Sequence, residues 1–261
     1  GFGLFVIIVT HLYNYWGLPN IPTADAGGGN KGGSGLLNLI LLPFMIMGSW
    51  ASAFAAITGL SVAYTMHYQI SKGGVSLKKR AVQSLVNALI ILIINYVYIY
   101  FFIYPTTNIT ELVHQGLIPA SIKFGELTAP PLEFLFIASP LTMVAFSNII
   151  VNITCTIMWR KGTKQKNLKK EQILMCVIGI VIIYIAEPVK DWLIPILYEQ
   201  HTQGNYGVSM LLTWLVGTKH CIFPFLGYAF IGAYFGLNFR RDYIDFKKIR
   251  NQALCLTLVF F

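Results

Sequence analysis

Charge is scarce in this chain of 261 residues. Asp, Glu, Lys and Arg make up only 11% of it, against about 25% in an ordinary soluble domain. That shortage excludes a soluble multi-domain protein. Acid is scarcer than base, with 10 Asp and Glu against 19 Lys and Arg and a net charge of +9. Cysteine is also rare. Cys155, Cys176, Cys221 and Cys255 lie in or beside apolar segments, and none sits in a CxxC or zinc-like spacing. The expectation is four small packing residues, with no disulfide and no metal site. The phosphate-loop pattern GxxxxGK[ST] is missing, even from the Gly-rich run AGGGNKGGSG between residues 26 and 35. Nucleotide binding there is discarded, and that run reads as flexible chain. No internal repeat stands out.

Apolar residues are abundant. They form 56% of the chain, and several runs reach about 20 residues, enough to cross a bilayer as helices. The runs are too continuous for a membrane β-barrel. The predicted fold is all-α, a polytopic transmembrane helical bundle. Most basic residues fall in three polar stretches. The first holds Lys72, Lys78, Lys79 and Arg80. The second holds Arg160, Lys161, Lys164, Lys166, Lys169 and Lys170. The third holds Arg240, Arg241, Lys247, Lys248 and Arg250. They alternate along the chain with loops poor in Lys and Arg, which is the positive-inside pattern. Loops 72–80, 160–170 and 240–250 are therefore expected to be cytoplasmic. The basic balance reports orientation, and no nucleic-acid partner is expected.

Six complete helices and a truncated seventh are expected, with re-entrant or interfacial pieces. The first runs from Gly1 to about Trp16. Leu36 to Gln69 is too long for one span and carries Pro43 and Gly48. Leu36–Met47 is read as a re-entrant or tilted piece and Ser49–Gln69 as the second helix. The others are placed at about Ala81–Tyr104, Leu132–Trp159, Ile173–Ala186 and Phe223–Phe239. Lys219 and His220 divide the last of these from an outer dipping piece at Val208–Leu215. A seventh begins near Asn251. Gly232 and Gly236 make a small-xxx-small face. Asn148 and Asn152 share a face and are expected to bond a neighbouring helix. Glu187, Lys190 and Asp191 read as an ion cluster where the fifth helix ends. His67, beside Tyr64 and Tyr68, reads as interfacial and solvated. The chain opens without Met and closes at LTLVFF, both inside apolar runs. Residues 1–261 are thus expected to be one transmembrane domain whose sequence continues at both ends.

The opening stretch GFGLFVIIVTHLYNYW places an ionisable imidazole, His11, within an apolar helix just below Tyr13, Asn14, Tyr15 and Trp16. A buried ionisable group in a bilayer is costly and marks a candidate site. Packing between helices is the competing reading, and residue chemistry alone leaves the two open.

Taken together, several stretches resemble the transmembrane acyltransferase superfamily, namely its heparan-α-glucosaminide N-acetyltransferase-like branch and the acyltransferase-3 relatives. Gly1 and His11 fit the Gly and the polar position of the family's first helix. Ser49–Met66, SWASAFAAITGLSVAYTM, is similar to its second helix, with Phe54, Gly59 and Ser61 at characteristic places. Lys78-Lys79-Arg80 resembles its basic inner turn, and Phe223–Gly236, FPFLGYAFIGAYFG, a later helix that begins Phe-Pro. The Gly-rich loop and Leu36–Met47 depart from the pattern, and Glu133–Val144 meets it loosely.

The resemblance implies transfer of an acetyl or other short acyl group from acyl-CoA to a hydroxyl or amine of a sugar or glycan acceptor, as in polysaccharide modification. Acetyl-CoA or another acyl-CoA would be the donor substrate, with no metal. His11 would act as general base or acyl carrier. Asn14 would orient the ring or hold the acceptor, and Lys219 and His220 would line the outer mouth. Lys78, Lys79 and Arg80 would meet the phosphates of coenzyme A, although a plain topology signal is the favoured reading of these three. Membrane lipid is a further expected partner, and self-association is left open. The alternative is a transporter or flippase-like carrier without acyl chemistry. A membrane scaffold, with His11 incidental, is a third.

Overall fold

The computed structural model describes residues 51–102, 106–107, 113–114, 116–131, 135–162, 167–217, 220–240 and 244–260. The chain divides into two units, Gly1–Ala53 and Phe54–Phe261. The second is helical apart from one antiparallel bridge that pairs Thr106 with His114 and Thr107 with Val113. In chain order the helices are α1 (Ala51–Ser71), α2 (Leu77–Phe102), α3 (Leu117–Phe124), α4 (Pro140–Met158), α5 (Leu168–Thr202), α6 (Tyr206–Leu212), α7 (Ile222–Asn238) and α8 (Phe246–Phe260). A π-helical turn, Thr213–Gly217, follows α6.

Among the described residues, α2, α4 and α5 are long and apolar enough to cross a membrane. A fourth span is available if Tyr206–Gly217 and Ile222–Asn238, bent by 55°, count as one broken crossing. The first expected helix lies outside the described residues. Helix α1 is not among the three because Thr58, Ser61, Thr65, His67 and Gln69 dilute its apolar run.

The helix boundaries depart most from the sequence reading at the start of α4 and the end of α5. Helix α4 starts at Pro140 rather than near Leu132. Ser139 is extended (φ −100°, ψ 169°) and its hydroxyl accepts from the N–H groups of Leu141 and Thr142, while the Thr142 hydroxyl accepts from the N–H of Ser139. This capping box, with proline in the first turn, fixes the start. Helix α5 does not end at Ala186. It runs 35 residues through Pro188 and Pro195. The Glu187–Lys190 ion pair, 3.3 Å long, therefore forms one turn apart on a continuing helix.

Helix α7 is buried nearly all round and is the element on which others pack, as expected of a helix apolar on every face. Small residues let its neighbours approach at backbone distance. A methyl added at Gly59 would overlap the carbonyl of Ala229, and one at Gly232 would overlap the carbonyl of Ala56. Gly179 and Gly227 meet in the same way, each placing a would-be methyl within 2.8 Å of the other's carbonyl oxygen. The α2–α4 seam uses hydrogen bonds instead. Asn152 donates to the Ala81 carbonyl at 2.9 Å, Ser84 to the Asn148 side chain at 2.8 Å and Asn95 to the Thr142 hydroxyl at 2.9 Å. Ser139 closes that seam by donating to the Asn95 carbonyl oxygen. Asn148 and Asn152 thus play the helix-bonding part expected of them.

Candidate functional site

Six helix ends, those of α1, α2, α4, α5, α7 and α8, converge on one end of the second unit, and they carry most of its basic residues. Arg80, near the start of α2, donates to the Thr65 hydroxyl of α1 at 3.0 Å. Arg240, just past α7, donates to Ser71 at 3.2 Å, with its guanidinium carbon 4.7 Å from the Tyr68 ring centroid. Trp159, at the end of α4, donates from Nε1 to a carboxylate oxygen of Glu171 in α5 at 3.0 Å.

The hairpin joining α1 to α2 turns at Gly73, whose φ of 69° suits glycine. It delivers Lys78, Lys79 and Arg80 to the first turn of α2. Lys78 and Lys79 are exposed, whereas Arg80 is half-buried and turned toward Thr65 and Gln83. Cations in a first helical turn oppose the helix dipole. Their placement therefore answers to topology or to an anion, not to helix stability.

His67 corrects the sequence reading. It is only 1% exposed and not solvated. The end of α4 covers it, and the fully buried Trp159 meets its ring edge-on with centroids 5.5 Å apart. Among the described residues neither ring nitrogen has a hydrogen-bond partner. An imidazole so placed loses its hydration without return, a cost of roughly 1–3 kcal/mol. His67, Trp159 and Glu171 form a buried polar node that the sequence reading missed. Glu171, the lone acid after Lys169 and Lys170, was its faint signal.

The opposite end is built differently. His220 sits in the turn that opens α7, half-buried, its ring 6.3 Å from that of Phe225. The length of α7, about 25 Å at 1.5 Å per residue, separates it from the Arg240 end. Nearby, Trp214 of the π-helical turn packs against Tyr96 and Phe146 at 6.0 and 5.3 Å. The Tyr96 hydroxyl and Trp214 Nε1 are both buried without a hydrogen-bond partner. Tyr96 therefore belongs to an internal aromatic cluster rather than only to the interface belt.

His11, Asn14 and Lys219 lie outside the described residues. Of the other candidates, Lys78, Lys79 and Arg80 are brought together, and His220 is held apart from them. No family profile, curated protein or solved structure matches this chain.

Proposed function

We propose that this chain is the membrane body of an acyltransferase that moves an acetyl or short acyl group from acyl-CoA to a hydroxyl or amine of a sugar-type acceptor. The observation that carries the reading is the contact between α1 and α7. These two helices contain the separated stretches that resemble the acyltransferase superfamily, and they pack backbone to backbone through Gly59, Gly232 and Gly236. The gathering of basic helix ends on one side, with His220 at the far end of α7, suits a donor and an acceptor that arrive from opposite faces.

In this reading the chain crosses the bilayer six times, with part of a seventh helix, and loops 72–80, 160–170 and 240–250 face the cytoplasm. Lys78, Lys79 and Arg80 meet the donor phosphates. Asn14, Lys219 and His220 serve the acceptor. His11 takes the proton of the acceptor O–H or N–H as that atom attacks the thioester carbonyl carbon. The C–S bond then breaks, and the leaving thiolate recovers the proton from the imidazolium. In the acyl-carrier variant the ring nitrogen attacks the thioester carbonyl carbon, the C–S bond breaks, and the leaving thiolate takes the ring's N–H proton. The acceptor then attacks the acyl-imidazole, and its proton returns to the freed ring nitrogen.

The test uses membranes containing the protein, labelled acetyl-CoA and a panel of glycan and glycolipid acceptors. Transfer by the wild type that disappears in His11→Ala is expected. Transfer unaffected by that change removes His11 from the mechanism, and no transfer to any acceptor removes the enzyme reading. The 55° break between the π-helical turn and α7 favours a second reading, a carrier, because broken helices line transport sites. Acceptor uptake without acylation would select it.

A further inference from the structure

A groove of about 530 Å³ opens among α5, α7 and α8 at the basic end. Cys176 of α5 and Tyr234 of α7 form its inner wall, and Lys247, Lys248 and Gln252 of α8 form its rim. Both lysines are exposed, and among the described residues neither forms an ion pair. The one carboxylate in the wall, Asp245, accepts the backbone N–H of Lys248 at 2.9 Å and so caps α8. Two ammonium groups remain in the first turn of a helix, where the dipole already supplies positive potential. The Gln252 side-chain oxygen is shielded and, among the described residues, has no donor. The groove also has an apolar exit. On α5, Ile173, Leu174 and Val177 flank Cys176, and each is about half exposed.

A basic rim above an apolar flank, beside a helix long enough to span a bilayer, has the chemistry of a lipid headgroup site. We propose that this groove holds one anionic phospholipid. Its phosphate lies at Lys247 and Lys248, a headgroup hydroxyl donates to Gln252, and its acyl chains run along the exposed face of α5. The phosphate offsets the charge at the start of α8. This assignment is independent of acyl transfer and needs only that α5 meets lipid.

The test is native mass spectrometry of the detergent-purified full chain, titrated with phosphatidylglycerol and with phosphatidylcholine. The wild type is expected to retain one phosphatidylglycerol with about tenfold preference, the scale set by two lysines near a phosphate. Lys247→Gln with Lys248→Gln should abolish that preference, and the corresponding pair of arginine substitutions should keep it. Lys169→Gln with Lys170→Gln, an equal charge change on exposed positions of α5, should keep it too. Without any variant, raising salt to about 0.5 M should weaken the preference. Retention of the preference by the Lys247/Lys248 glutamine pair, or its equal loss in both glutamine pairs, overturns the site. Displacement of the lipid by millimolar inorganic phosphate overturns the lipid assignment in favour of a soluble phosphate ligand.

Discussion

Gly232 presses against the backbone of Ala56 so closely that no side chain fits between α7 and α1. Gly232→Ala should therefore force the two helices apart. The expected loss is roughly 1–3 kcal/mol, the usual cost of overpacking, read as a lower melting temperature in detergent. Gly207→Ala is the control. A methyl there meets nothing within 4 Å, and its melting temperature should match or slightly exceed wild type.

Trp159→Phe keeps an aromatic ring but loses the pyrrole half of the indole, and with it both packing volume and the N–H that serves Glu171, which is only 8% exposed. A buried acceptor left without its donor costs about 1–3 kcal/mol. Adding Glu171→Leu should recover much of that loss. Melting curves of the two single variants and the double variant measure the coupling. Simple additivity would show that the hydrogen bond carries no weight.

His67→Phe preserves the edge contact with Trp159 and deletes two nitrogens that have no hydrogen-bond partner. Stability should stay level or rise by roughly 1 kcal/mol. A marked fall in melting temperature would mean that the imidazole holds a polar guest in the folded protein.

The three residues at the start of α2 should separate by phenotype. Under the proposed acyl transfer, Lys78→Gln with Lys79→Gln removes exposed charge and should raise the KM for acyl-CoA several-fold with little change in kcat, the mark of lost binding remote from the reacting atoms. Arg80→Gln should instead lower the melting temperature, because its guanidinium ties α2 to Thr65. Initial-rate kinetics and melting curves on the same preparations check both.

Features written in local residue chemistry were legible beforehand. The interruption that precedes α7, the close approach at Gly232 and Gly236, and the bonding of Asn148 and Asn152 all follow from residue type and spacing. Other features depend on what lies across the gap. Glu187, Lys190 and Asp191 read as the boundary of the fifth helix, yet α5 continues past them through Pro188 and Pro195. Proline removes one donor and crowds one carbonyl, and the surrounding turns absorb that cost. The fourth helix read as starting near Leu132, but the cap at Ser139 sets the start of α4. His67 read as solvated because its own neighbours are polar and aromatic. Trp159, 92 positions later in the chain, is what shuts out water. Of the candidate site, the basic turn and the position of His220 were readable, while the node at Glu171 needed three helices in place.

Helix α5 has one more consequence. Its 35 residues extend about 52 Å, and a bilayer interior is about 30 Å thick. A crossing near the membrane normal would leave about 20 Å of it outside the hydrocarbon, shared between its two ends. The far end is braced, because Leu197 is buried against Gly217 of the π-helical turn, and it carries Lys190, Asp191, Glu199 and Gln200. A grafted epitope or antibody fragment fixed there would ride stiffly on the protein and give single-particle imaging a landmark outside the lipid.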